Sequence, residues 1–262
     1  NTVPVAQTTL EDTGKVITGL SIADVDAGSA NNVTTTLSVT NGTLVVSGGG
    51  ATITGSGTNT VTLTGTLTQI NATLAATNGV TFNPTLNFNG NATLTMTTND
   101  GGFTGTGGVL TDTDTVAITV TAVNDAPVLT TAATIATVNE DASNATAVNL
   151  WSTAPGYGPG GGTDEAAQTL SYKITAIPAF ITLWKSDGTT AVTTGTTVTA
   201  AEFAVLKYKT VADGNGTGNV TFDVIDIGIN TGSNVNTLSS QSVAITVTAV
   251  NDAPVNTVPV AQ

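Results

Sequence analysis

The run Thr60-Val61-Thr62-Leu63-Thr64-Gly65-Thr66-Leu67 sets threonines and apolar side chains on alternate positions. A period of two sends the two sets to opposite faces of a pleated strand, one toward a core and one toward water. Residues 116–123 alternate in the same way. Asn41-Gly42 and Asn78-Gly79 break such runs with residues suited to tight turns between strands. Helical signals are confined to two short segments, 68–74 and 199–206. The second opens on Thr199-Ala200-Ala201-Glu202, a capping box in which hydroxyl and carboxylate each satisfy a backbone N–H of the first turn. Short strands, tight turns and a thin shared core predict an all-β fold of β-sandwich type.

Repetition divides the chain. VAITVTAVNDAPV occupies residues 116–128 and recurs unchanged at 243–255, while NTVPVAQ occupies 1–7 and recurs at 256–262. The bodies match as well. Asn87-Phe88-Asn89-Gly90, a strand over 92–98 and Asp100-Gly101 parallel Asp213-Gly214-Asn215-Gly216, a strand over 220–225, and Asp226 with Gly228. Two divergent copies are expected: a domain over 1–127, a second over 128–254, and the first strand of a next repeat in 255–262. The borders follow Asn124-Asp125-Ala126-Pro127 and Asn251-Asp252-Ala253-Pro254, because proline cannot continue a ladder and holds its predecessor extended. The glycine-rich segment 155–162 reads as a surface insertion of the second copy. In arrays of this kind each unit touches mainly its neighbours and reach comes from repetition, which suits a spacer, stalk or fibre.

Threonine is the commonest residue, and the chain contains no Cys, His or Arg. Thiol and imidazole nucleophiles, Cys/His zinc sites and guanidinium phosphate clamps are thereby excluded, and no enzyme activity is expected. A formal charge of −13 with only five lysines repels nucleic acid and anionic membrane surfaces, so hard cations are the natural partners. No apolar run approaches the roughly 18 residues of a membrane helix. Export signal and anchor are expected outside this stretch.

The segment AITVTAVNDAPV, with the upstream patterns Asn87-Phe88-Asn89-Gly90 and Asp213-Gly214-Asn215-Gly216, resembles the cadherin-like and immunoglobulin-like tandem repeats of giant bacterial RTX-type surface adhesins. That resemblance covers both copies. It implies tandem cadherin/immunoglobulin-like β-sandwiches, an extracellular cell-surface location, and bound Ca2+. By the same resemblance, Asn124 and Asp125 would meet Glu11, Asp24 and Asp26, with Asp164 and Asp226 contributing from the second copy; Asp100, after its strand, is a separate candidate ligand. Glu140 and Asp141 would join Asn251 and Asp252. Cadherin linkers carry a further acidic residue before the Asn-Asp pair and a further Asn after it; both are missing here, which argues for fewer ions than the full cadherin set.

Each ligand residue also has a plainer reading. Asn124, Asp125, Asp100 and Asp226 fit ordinary turn caps. Asp24 and Asp26 lean toward ligation, since two carboxylates one residue apart repel unless a cation sits between them. The threonine ladder 58, 60, 62, 64, 66 and 68 could form a flat glycan- or ice-binding face, but half-exposed strands favour threonine in any case, and the plain reading is preferred. The leading expectation is a structural repeat of an extracellular fibre, sheath or adhesin stalk, with neighbouring identical repeats and lateral self-association into a filament as its contacts. The alternative is an adhesive module for a surface glycan or protein.

Overall fold

The computed structural model describes residues 1–103, 108–135, 137–141, 146–229 and 232–254. It divides into two compact units, Asn1–Val123 with Gly162–Asp164, and Asn124–Gly161 with Glu165–Gln262. The expected first strand of a next repeat, 255–262, lies outside the described residues.

The first unit contains β1 (Gln7–Leu10), β2 (Lys15–Val16), β3 (Val33–Val39), β4 (Gly42–Val46), β5 (Thr52–Thr54), β6 (Thr60–Gly65), α1 (Leu67–Leu74), β7 (Val80–Pro84), β8 (Gly90–Asn99) and β9 (Thr111–Thr121). One sheet runs β1-β9-β8-β3-β6-β5 and the other β2-β7-β4. Alternation decides what they share. Val61 and Leu63 of β6, Leu94 and Met96 of β8, and Val116, Ile118 and Val120 of β9 turn inward with Leu37, Leu44 and Phe82, and all are buried. The threonines between them face out. Asn41 and Asn78 adopt the left-handed conformation that their Asn-Gly pairs predict.

Strand β6 ends sooner than its alternation suggests. Thr66 leaves the ladder to cap α1, its hydroxyl accepting from the Gln69 N–H at 3.3 Å while Gln69 Oε1 accepts from the Thr66 N–H at 2.9 Å. Of the six-threonine ladder, only Thr60, Thr62 and Thr64 therefore lie on the strand; Thr58 precedes it and Thr68 is helical.

The second unit contains β10 (Val128–Thr131), β11 (Val138–Asn139), β12 (Val148–Asn149), β13 (Gly156–Gly158), β14 (Ser171–Ala176), β15 (Ile181–Trp184), β16 (Ala191–Val192), β17 (Thr197–Thr199), α2 (Ala200–Phe203), β18 (Lys207–Thr210), β19 (Gly216–Ile225) and β20 (Thr237–Thr248). Its sheets run β11-β20-β19-β14-β17, β12-β18-β15-β16 and β10-β13. The capping box read at Thr199 and Glu202 opens α2. Aromatic rings fill the core: Tyr172 stacks on Phe203 at 4.0 Å between centroids, and Phe222 lies 4.8 Å from Phe203.

The glycine-rich segment is more than a surface insertion. Residues Gly156–Gly158 form β13, and Tyr157 turns its ring edge-on to Tyr172 and Phe222 at 5.9 and 6.1 Å. A side chain at 156 would press on Thr130 and Thr131, so glycine is what lets β10 approach. In both units the first and last strands of the larger sheet pair in parallel, β1 with β9 and β11 with β20.

Candidate metal centre

In the second unit, β11 ends in a turn that carries Glu140 and Asp141. The Glu140 N–H donates to the Thr248 carbonyl at 2.9 Å, which fixes the turn against the end of β20. The Glu140 side chain is 4% exposed. Its Oε2 accepts from Asn215 Nδ2 and its Oε1 from the Val250 N–H, each at 2.7 Å. Those donors, Asn215 first, hold the carboxyl below the usual range.

Beside it, Asp141 and Asp213 both take left-handed backbone conformations, with φ of 62° and 55°, which short polar side chains tolerate. The chain beyond β20 supplies Asp252. One carboxylate oxygen from each of Asp141, Asp213 and Asp252 falls within 4.8 Å of the others. Burial and the charges of Asp141, Asp213 and Glu140 push the Asp252 carboxyl upward. Hard oxygen donors gathered this closely match the ligand preference of Ca2+, whose oxygens lie about 2.3–2.6 Å from the ion. Asn251, expected to join them, is exposed, and its Nδ2 reaches the Asp252 carbonyl at 3.5 Å.

The first unit repeats the plan with one change. Glu11, 2% exposed, accepts from the Val123 N–H at 2.5 Å and from Asn89 Nδ2 at 3.5 Å. Asp12 answers Asp141 and Asn87 answers Asp213, both left-handed at φ 56°, and Asp12 Oδ1 accepts from the Asn87 N–H at 2.8 Å. An amide thus stands where the second copy has a carboxylate. Asp164 groups with this unit, where its Oδ1 accepts from Asn89 Nδ2 at 2.6 Å.

Asp24, Asp26 and Asp100 form a different cluster. With Asn1 and Asp112 they line a cavity of about 490 Å³. Asp24 Oδ1 accepts from the N–H groups of Asp26 and Ala27 at 3.0 and 3.1 Å; these hold its carboxyl low, while Asp24 pushes that of Asp26 up. Asp100 Oδ1 accepts from Gly102 and Leu110, both at 2.9 Å, as a turn cap would. This corrects the expected grouping with Glu11. Asp100 and Asp112 flank the pair Asn99↔Thr111, whereas Glu11 bonds to Thr121 at the opposite end of β9. An 11-residue strand spans roughly 35 Å, far beyond one ion.

The second unit also has a cluster at its β19–β20 turn. Asn124 is 7% exposed and fully engaged: its N–H donates to Asn234 Oδ1 at 2.8 Å, its Nδ2 to the Val235 carbonyl at 2.8 Å, and its Oδ1 accepts from Gln168 Nε2 at 2.7 Å. Its carbonyl accepts from the Val235 N–H at 2.6 Å. Expected as a ligand, Asn124 here pegs the linker in place through these four bonds. A methyl group at Gly228 would strike its amide. Asp226, 4% exposed, accepts from Gly228 N–H at 2.7 Å. Glu165, 1% exposed, accepts from the Asp125 N–H, and a methyl group at Gly160 would overlap its Oε2. The two ion pairs among the described residues, Asn1 with Asp112 and Lys185 with Glu202, touch neither Glu140 nor Asp226.

Asp213 and Glu165 are absent from the residues first read as ligands. A signal for Asp213 exists: it opens the same turn before a strand as Asn87, so the repeat itself marks the position. Glu165 follows Asp164 directly, and only burial separates their roles.

No protein-family model matches the chain, and no curated protein matches it. Among solved structures it is similar to mouse cadherin-23 EC22-24 (TM-score 0.36, 14% identity, covering 94% of this chain and 63% of that one). It is similar also to human CDH23 EC21-23 (0.36, 12%, 95% and 73%) and to an endo-fucoidan hydrolase of glycoside hydrolase family 107 (0.28, 18%, 95% and 28%). The chain spans less than two thirds of the first and under a third of the last. These overlaps are loose, and the class rests on the chain's own sheets: an all-β protein of two tandem β-sandwiches. Among the described residues no helix is long and apolar enough to cross a membrane.

Proposed function

We propose that this chain is a structural repeat unit of an extracellular fibre, sheath or adhesin stalk, stiffened by calcium where the Asn-Asp-Ala-Pro linkers leave each sandwich. The observation that carries this reading is the convergence of Asp141, Asp213 and Asp252 within 4.8 Å beside the buried Glu140, just past the last strand of the repeat. Sequence repetition supports the mechanical part, because duplicated sandwiches add length without adding chemistry. The resemblance to bacterial RTX-type adhesin repeats supports a cell-surface location, with identical neighbouring repeats as the principal partners and no catalytic role.

A second reading, adhesion to a glycan, is favoured by one feature. Thr62 of β6 aligns with Thr36, Thr36 with Thr97, and Thr97 with Thr113, so threonines form a row across four strands. The test is melting temperature and solution scattering in millimolar calcium and then in excess chelator. A fall in both melting temperature and maximum dimension on chelation is expected; identical curves would reject the calcium-stiffened repeat. Binding to a glycan array under both conditions would favour the second reading.

A further inference from the structure

The chain carries 18 acidic residues against 5 lysines, so a lysine has carboxylates in plenty to pair with. Among the described residues, Lys207 and Lys209 nonetheless form no ion pair. Both project from β18, where they alternate with the buried Tyr208 and Thr210, and so share the outer face of the sheet β12-β18-β15-β16. On β15, Thr182 and Trp184 alternate with the buried Ile181 and Leu183 and reach the same face. Register sets Thr182 opposite Lys209 and Trp184 opposite Lys207, and extends the second row to Asn149 of β12 and Ala191 of β16. That row crosses three strand spacings, about 14 Å. The indole is held in place: its Nε1–H donates to Thr182 Oγ1 at 2.9 Å, and the Lys209 ammonium lies 4.4 Å from the ring centroid. Acidic side chains of the adjoining segments are engaged elsewhere. Asp187 accepts from the N–H groups of Thr189 and Thr190 in its own turn, and Glu202 pairs with Lys185 at 2.6 Å. The first copy has no equivalent, with one lysine and no tryptophan in residues 1–123.

We propose that this face binds an acidic polysaccharide. The indole presents an apolar ring to the C–H side of a sugar, the two ammonium groups meet its negative substituents, and Asn149 and Thr182 offer hydrogen bonds to its hydroxyls. A negative substituent draws the Lys209 ammonium off the ring, which the sugar then covers, so binding changes the surroundings of Trp184. Charge selects the partner. The face gathers cations on a chain of net charge −13, which suits a polymer with spaced negative groups and repels one as densely charged as nucleic acid. No arginine is present to fork onto phosphate, and one indole is too few to stack successive bases. The inference rests on the glycan-adhesion reading, which it carries to a different face and narrows to acidic sugars. It does not depend on the cation site.

The test is titration of the full chain with polygalacturonate, dextran sulfate, neutral dextran and single-stranded DNA, followed by tryptophan emission and calorimetry. Chelator is present throughout, so that calcium cannot bridge polymer to carboxylate. At least one of the two acidic polymers is expected to bind and shift the emission, with no response to dextran. The shift should vanish in Trp184→Phe, because the other tryptophan, Trp151, is buried in the core. Lys207→Gln with Lys209→Gln, at an unchanged melting temperature, should weaken binding about fivefold. Acidic polymers bound equally well by that variant would overturn the assignment of the face. Dextran bound as tightly as the acidic polymers would overturn the sugar chemistry and leave glycan adhesion standing. DNA bound as tightly would overturn the choice of partner, and no response to any polymer would overturn the glycan reading along with the proposal.

Discussion

Asp213→Asn separates a cation site from a merely acidic surface. Asparagine fits the backbone, since the first copy holds Asn87 at the same turn with φ 56°. Extracellular calcium modules bind with Kd of about 10⁻⁴–10⁻³ M. At ~10 mM calcium, mass action then stabilises the second unit by about 1.4–2.7 kcal/mol. For a unit of roughly 130 residues this raises the melting temperature by about 4–13 °C. Loss of one of the three clustered carboxylates should at least halve that rise. In chelator the sign reverses. Two like charges about 5 Å apart repel by about 0.8 kcal/mol in water, so the variant should melt no lower than the parent, and slightly higher. Calorimetry in calcium and in chelator gives both numbers. An equal calcium-induced rise in parent and variant, or none in the parent, would refute the reasoning.

Two further outcomes follow from the same geometry. The Asp252 carboxyl is raised in the folded state, so that state binds more protons than the unfolded one; in chelator its contribution to stability falls as pH rises from about 4 through its shifted value. Urea unfolding of parent and Asp252→Asn across that range should show the parent losing stability relative to the variant, and parallel curves would contradict it. Gly228→Ala should drive the Asn124 amide from its bonds to Gln168 and Val235, costing about 1–3 kcal/mol. An unchanged urea midpoint would show that Asn124 is not the peg described.

What the sequence reveals here is mostly local. Alternating residues in β6 and β9 identify their inward faces because the strand period is fixed by backbone geometry. The Thr199–Glu202 box lies within a single turn, and Asp24 and Asp26 are near neighbours. Grouping is another matter. That Glu11 and Asp100 lie at opposite ends of β9 follows from strand order, and strand order is set by contacts between residues a hundred positions apart. Tyr157 was hidden for a similar reason, since its glycine neighbours mimic a loop until β10 is placed beside them. Asn124 carries the right chemistry for a ligand, yet its bonding is decided by Gln168, Val235 and Asn234, residues that nothing in the linker motif announces.

The parallel pairing of first and last strands has a mechanical consequence. When a unit is pulled from its two ends, β1 and β9 slide along one another, and all four register pairs from Gln7↔Ile118 to Leu10↔Thr121 bear the load together instead of opening one at a time. Among the described residues, the second unit meets the same pull with two pairs, Val138↔Val247 and Asn139↔Thr248. Stretched as a tether, the chain should yield at its second sandwich while the first still holds.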